Sequence, residues 1–176
     1  MKIVLALLLL AIVVGGSEAQ VSRFNEYTLG AGDTVSITVY GQEDLSLETR
    51  LTDIGVINYP YLGEIAVLDM TVSGLEKFIY EGLKEDYLVN PSVSVNIIEY
   101  RPFFINGEVK DPGGYPFQPG LTIDKAAALA GGYTERASKT KIYIDRTIDG
   151  KQVTLNADRY MTILPGDIVH IEQSFF

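Results

Sequence analysis

Two stretches of this chain carry the same device. Gly32-Asp33-Thr34-Val35-Ser36-Ile37 and Gly166-Asp167-Ile168-Val169-His170-Ile171 each pair a turn with the start of a strand. Glycine lets the turn take a positive φ, and aspartate bonds its own backbone there. Valine and isoleucine then recur at every second position and face inward. A second echo is longer. Gly55 to Leu83 and Gly107 to Ala130 each read as two short strands followed by a threonine-capped helix. Together they predict an α+β fold: two small mixed units built alike, each a twisted sheet with one helix on its face. The period is too long and the copies too few for a solenoid.

The elements follow from local pattern. Gly30-Ala31-Gly32-Asp33 is a turn, and Thr34 to Tyr40 alternates as a half-buried strand. Leu51 to Ile57 and Gly63 to Leu68 read as short strands around Asn58-Tyr59-Pro60-Tyr61-Leu62. Thr71 caps a helix whose Leu75, Phe78, Ile79, Gly82 and Leu83 form a core-facing stripe. Ser73 with Glu76 offers a capping box as an alternative start. That helix must stop before Asn90-Pro91, and Ser92 to Ile97 alternates again towards Tyr100.

Arg101-Pro102 interrupts the ladder and marks the candidate domain boundary. Beyond it, Phe103 to Val109 is a strand, Asp111-Pro112-Gly113-Gly114 a turn, and Tyr115-Pro116-Phe117 the return. Thr122 caps a short helix filled by Ala126, Ala127, Leu129 and Ala130 and ended by Gly131-Gly132. Lys141 to Arg146 and Gln152 to Asn156 form a hairpin about Asp149-Gly150. Leu164-Pro165-Gly166-Asp167 opens a last strand to about Gln173. The expected organisation is an N-terminal address at 1–19, an arm at 20–26, units at 27–100 and 101–160, and a closing strand at 161–176.

The address has three parts. Met1-Lys2 is a short positive region, Ile3 to Val14 is unbroken apolar sequence, and Gly15-Gly16 precede the small residues of Ser17-Glu18-Ala19. That is a secretory signal peptide with cleavage expected after Ala19. The apolar run covers ~18 Å as a helix, short of a ~30 Å hydrocarbon core. An uncleaved anchor is the alternative. The alternate positions before Phe175-Phe176 are Ser174, Glu172 and His170, which do not suit a lipid-facing strand. An exported, soluble protein is expected, reaching any membrane through partners.

Composition removes several chemistries. The 176 residues include no cysteine, which excludes disulfides, thiolate metal sites and a cysteine nucleophile. A net charge of -9 argues against a nucleic-acid partner, which needs a basic face. His170 is the single histidine and reads as a surface residue on a strand. One histidine makes neither a usual zinc site nor, without a converging nucleophile and acid, a triad. No Gly-x-Ser-x-Gly elbow occurs. Glu43-Asp44 and Glu85-Asp86 read as solvated charge. Gly30-Ala31-Gly32 precedes a strand and so lacks the helix that a phosphate loop opens. No catalytic residue, metal or cofactor is expected. The eleven tyrosines raise sugar binding, since a phenol offers both a flat face and a hydroxyl. Tyr59, Tyr61 and Tyr115 lie in or beside turns and are the candidates.

Several ordered motifs carry a resemblance. Tyr27-Thr28-Leu29-Gly30-Ala31-Gly32-Asp33-Thr34-Val35 resembles the opening of the polysaccharide biosynthesis/export domain. Gly55 to Ile65, with Pro60 and Gly63, the helix after Thr71, and Tyr87 to Val95 around Asn90-Pro91 are similar to its continuation. Phe104 to Tyr115, with Gly107, Pro112 and Gly113, resembles the soluble-ligand-binding (SLBB) β-grasp domain. Leu121 to Gly132 and Leu164-Pro165-Gly166-Asp167-Ile168-Val169 fit the same pattern.

The resemblance implies an outer-membrane-associated polysaccharide export protein that is not an enzyme. Its partners would be polysaccharide, further copies of itself in a ring, and an inner-membrane copolymerase. Longer members carry a lipidated cysteine, more β-grasp copies and an amphipathic C-terminal helix. This sequence shows none of these before Phe176, so docking to a separate outer-membrane barrel is expected. A periplasmic glycan-binding or adaptor module that forms no conduit is the alternative.

Overall fold

A computed structural model describes residues 27–174 of the chain, 85 and 149 excepted. The expected address and arm, Glu85, Asp149 and the terminal Phe175-Phe176 lie outside the described residues. The elements run β1 (Thr34–Val39), β2 (Leu47–Arg50), β3 (Val56–Tyr59), β4 (Gly63–Ala66), α1 (Val72–Leu83) and β5 (Val93–Glu99). They continue as β6 (Phe103–Gly107), β7 (Gly113–Tyr115), α2 (Ile123–Leu129), β8 (Ala137–Ile148), β9 (Lys151–Ala157) and β10 (Ile168–Gln173). The fold is α+β with mixed sheets, as expected.

β1 is the centre of a three-stranded antiparallel sheet in the order β2-β1-β5, and β3 pairs β4 as a separate hairpin. The strand expected over Leu51 to Ile57 is two pieces. Its first half is a turn, and the ladder partner of β1 is Leu47–Arg50 just before it. The second sheet has the order β7-β6-β10-β8-β9. β10 lies at its centre, parallel to β6 and antiparallel to β8. Gly113, expected in the turn, already belongs to β7 and pairs with Ile105.

Each helix covers one core. Thr71 caps α1 by accepting from the Gly74 N–H at 2.9 Å. Glu76 is not in a capping box, because its carboxylate accepts from the Val95 N–H at 3.3 Å and ties α1 to β5. Leu75, Ile79 and Leu83 are fully buried against Val35, Ile37, Tyr59 and Val95. Each such side chain contributes about 1.5–3 kcal/mol. Phe78, expected on the same stripe, is 49% exposed. α2 buries Ile123, Ala126 and Ala127 beside Phe103, Ile105, Ile144, Val169 and Ile171, while Leu129 faces solvent. The apolar arc on each helix is thus narrower than its sequence. Gly131 and Gly132, both at positive φ, end α2.

The repeated turn closes in the same way twice. Gly32 has φ +95° and Gly166 φ +86°. The Asp33 carboxylate accepts from the Gly30 N–H at 2.8 Å, and that of Asp167 accepts from the Leu164 N–H at 2.7 Å. Both aspartates are essentially inaccessible to water. A buried carboxylate needs a cation and hydrogen bonds to remain tolerable. Arg146 supplies them to Asp167 through two bonds of 2.9 and 2.7 Å. Arg101 supplies them to Asp33, from its backbone N–H at 2.8 Å and its guanidinium at 3.1 Å.

Arg101 also joins the two units. Its Nε donates to the Pro165 carbonyl at 3.2 Å, inside the second turn. The guanidinium lies over the Tyr27 ring, 5.3 Å from the centroid, and the Tyr27 hydroxyl donates to Asp33 at 2.6 Å. A Cβ at Gly30 would fall 1.9 Å from Arg101 Nη1, and one at Gly166 2.9 Å from Nε. These glycines therefore make room for the arginine.

Two predictions follow from this packing. Arg101→Met strands the Asp33 carboxylate and should lower stability by about 2–4 kcal/mol, less than a fully buried pair because Arg101 is partly solvated. Urea unfolding measures it, and Arg101→Lys should retain part of the loss. Gly107 has φ +86°, and its Cβ would lie 2.1 Å from the Ile171 carbonyl oxygen; Gly41 has φ +78° with open space around it. Gly41→Ala should therefore lose about 1 kcal/mol from backbone strain alone, and Gly107→Ala about 3 kcal/mol or more because β6 must part from β10.

Candidate functional site

The chain turns from β5 into β6 at Arg101-Pro102, and a groove of about 570 Å³ opens beside that crossing. One wall is Ile98, Glu99 and Tyr100 at the end of β5, with Arg50 at the end of β2 and the Gly32 turn. The other is Pro102, Gly114, Tyr115, Pro116, Phe117 and Pro119. Both walls are stiff. Tyr100 makes edge contacts with Tyr27 at 5.2 Å and with Phe117 at 5.4 Å between ring centroids. Tyr115 stacks on the buried Phe103 at 6.0 Å, and its hydroxyl donates to the Asp111 carbonyl at 2.6 Å. The prolines fix their own φ.

The three candidate tyrosines part company. Tyr115 lines the groove. Tyr61 is 67% exposed on the β3–β4 turn at φ +65°, and its ring lies 4.7 Å from that of Tyr87. Tyr59 presents no face to solvent: it is fully buried, and its hydroxyl donates to the Leu45 carbonyl at 2.6 Å. Its position on β3, one residue before Pro60, points inward by strand alternation. The turn glycines and prolines place backbone and supply no reacting group. Tyr100, Arg50 and Glu99 were not singled out from sequence, while Phe117 stands in the same turn stretch as Tyr115. The available signal was the aromatic and proline density on both sides of Arg101-Pro102.

Elsewhere the chemistry is sparse. His170 Nε2 lies 3.1 Å from Asp145, on the solvent face of β10. Asp145 also accepts from the Thr154 hydroxyl at 2.5 Å. That bond chiefly, with His170, holds the Asp145 carboxyl below its ordinary range. The carboxylate sits between hydroxyl and imidazole, so the histidine cannot take the hydroxyl proton as a triad requires. Among the described residues no group of three or more His, Asp or Glu side chains is placed to hold a metal ion. A second, shallower groove of about 530 Å³ runs along the outer face of α1 beside Met70 and Phe78.

Burial raises the Tyr59 phenol to about 12 from an ordinary 10. A group whose folded pKa exceeds its unfolded value stabilises below the unfolded value and loses that contribution as pH rises through the folded one. Stability should therefore fall between pH 10 and 12, with a late tyrosinate phase at 295 nm. Tyr59→Phe should remove part of both.

Comparison with known proteins places the chain. Residues 21–98 match the family described as polysaccharide biosynthesis/export protein, and residues 102–156 match the SLBB domain. The exopolysaccharide production protein ExoF of Rhizobium meliloti (strain 1021) is 31% identical, over 71% of this chain and 32% of the relative. The EPS I polysaccharide export outer membrane protein EpsA of Ralstonia nicotianae is 27% identical, over 86% of this chain and 49% of the relative. The polysialic acid transport protein KpsD of Escherichia coli is 27% identical, over 86% of this chain and 27% of the relative. The chain thus spans about half the length of these relatives or less. The two matches meet at the arginine that pins one repeated turn to the other, and on them the chain belongs to the polysaccharide biosynthesis/export family, its export domain followed by one SLBB domain.

Proposed function

We propose that the protein is an exported, non-enzymatic component of a capsule or exopolysaccharide export machine. Identical subunits assemble into a ring that helps conduct polysaccharide to or through the outer membrane. The observation that carries this reading is the pairing of an export domain and an SLBB domain in one chain, bonded to each other through Arg101. Copies assembled around a polymer enclose it, and cyclic head-to-tail contacts close such a ring. Moving a finished polymer breaks no bond, so the work needs surfaces more than nucleophiles.

The protein acts in the periplasm and associates with the outer membrane through partners. Among the described residues no helix is long and apolar enough to cross a membrane. The partners are the polysaccharide, an inner-membrane copolymerase and a separate outer-membrane β-barrel. The units are 27–100 and 101–160, with 161–176 closing the second. The aromatic groove favours one other reading, a periplasmic glycan-binding or adaptor module that forms no conduit.

Deletion of the gene should abolish or strongly reduce surface polysaccharide while polymer accumulates inside the envelope. A deletion strain that coats itself normally overturns the export reading. Sedimentation of the purified protein separates ring from module: a discrete oligomer supports the ring, and a monomer at high concentration supports the module.

A further inference from the structure

We infer that the groove beside Arg101-Pro102 is a saccharide subsite that takes one or two neutral pyranose rings of the moving polymer. This deepens the export reading above and rests on it. At about 570 Å³ the groove falls within the range of small-ligand clefts, ~300–1,000 Å³. Aromatic and proline surface faces it from both sides, Tyr100 on one wall and Pro116 and Phe117 on the other, and the C–H face of a sugar ring packs against such a wall.

The groove's charges decide the occupant. Arg50 and Glu99 are both exposed. They flank Thr34 of β1 from either side, since Thr34 pairs with Arg50 on β2 and with Glu99 on β5. Among the described residues neither makes an ion pair or a side-chain hydrogen bond. The guanidinium offers only donors and the carboxylate only acceptors. An apolar peptide laid in the groove would strip water from both and return nothing. A carboxylated sugar would satisfy Arg50 and set its charge against Glu99. Sugar hydroxyls donate and accept at once, so a neutral ring with vicinal hydroxyls satisfies both groups while keeping its apolar face on the aromatic wall.

The aromatic wall is braced before any sugar arrives. Tyr100 is held between Tyr27 and Phe117, and Tyr115 is held by its stack and its hydroxyl bond. Little side-chain freedom is lost on binding, which favours contact with a small ligand.

The test uses the purified protein, 15N-labelled, titrated with cellohexaose, maltohexaose and a sialic acid hexamer. A neutral hexamer should shift the amides of Ile98, Glu99, Tyr100, Gly114, Tyr115 and Phe117. Arg50→Ala/Glu99→Ala should weaken that binding about tenfold or more. Its unfolding midpoint and sedimentation should be unchanged, because neither side chain holds the fold. In cells the double variant, at normal protein level, should export less polymer. No shifts with either neutral hexamer, shifts confined to other surfaces, or binding of the sialic acid hexamer alone overturns the subsite. A variant that binds as wild type does so too. Altered sedimentation would make the groove a contact between copies and would also overturn it. Deletion without effect on surface polysaccharide strikes the export reading alone, since the oligosaccharide titration decides the groove independently. Normal export by the double variant, where deletion abolishes it, strikes the subsite alone.

Discussion

The Asp33 carboxylate is inaccessible to water, and much of the molecule is arranged to make that tolerable. It receives the Gly30 amide, the Tyr27 hydroxyl, and both the backbone and the guanidinium of Arg101. Losing any one donor leaves part of a buried charge unsolvated, a larger penalty than the net worth of the bond itself. Geometry follows from this electrostatics. Arg101 stands 68 residues from Asp33, so the bond closes the first unit across nearly its whole length. The same side chain bonds Pro165, 64 residues the other way, and holds the second turn against the first.

Asp167 repeats the chemistry with a different wiring. Its arginine, Arg146, comes from near the end of β8, 21 residues away and inside the same sheet. That pair secures one unit, whereas Arg101 secures two. The groove walls belong one to each unit, so its width follows from the arginine that ties the two units together beside it. A change at Arg101 therefore acts on stability and on groove shape together. Substitutions at Arg50 and Glu99 touch only what the groove can hold.

Much of this was legible from residues. Both Gly-Asp turns, both threonine caps and the glycine end of α2 stand where the pattern put them, because each depends on a backbone conformation that few residues allow. β2 was readable too: Leu47-Glu48-Thr49-Arg50-Leu51 alternates directly after Ser46. Phe78 was placed on the core-facing stripe of α1 by spacing alone. Spacing fixes an angle on the helix, and only the neighbouring strands decide how wide an arc they cover. Arg101 carried a usable signal. Two aspartates in tight turns, each leading into an inward-facing strand, gain from a nearby cation, and an arginine at the junction of two strands is well placed to supply one. The groove was illegible for a different reason. Its walls draw on residues as distant in sequence as Gly32 and Pro119, and nothing in local period brings Arg50 to Phe117.

A surface that passes a polymer must hold it without keeping it. The groove, as the subsite proposed above, would meet both demands. It is open, its charges stay hydrated until a hydroxyl replaces that water, and its aromatic contact is indifferent to which sugar follows. A subsite of this kind binds one or two rings weakly, and weak binding releases quickly. In the ring we propose, copies of the same groove face one chain, and simultaneous weak contacts add to a useful hold without any single slow step. Tight binding in one subunit would be a defect, since the next ring could not advance until the first let go. Stability and transport therefore call for opposite chemistry on one surface: a half-buried Arg101 paired to a buried carboxylate between the units, and, at the rim, an exposed Arg50 that makes no ion pair among the described residues.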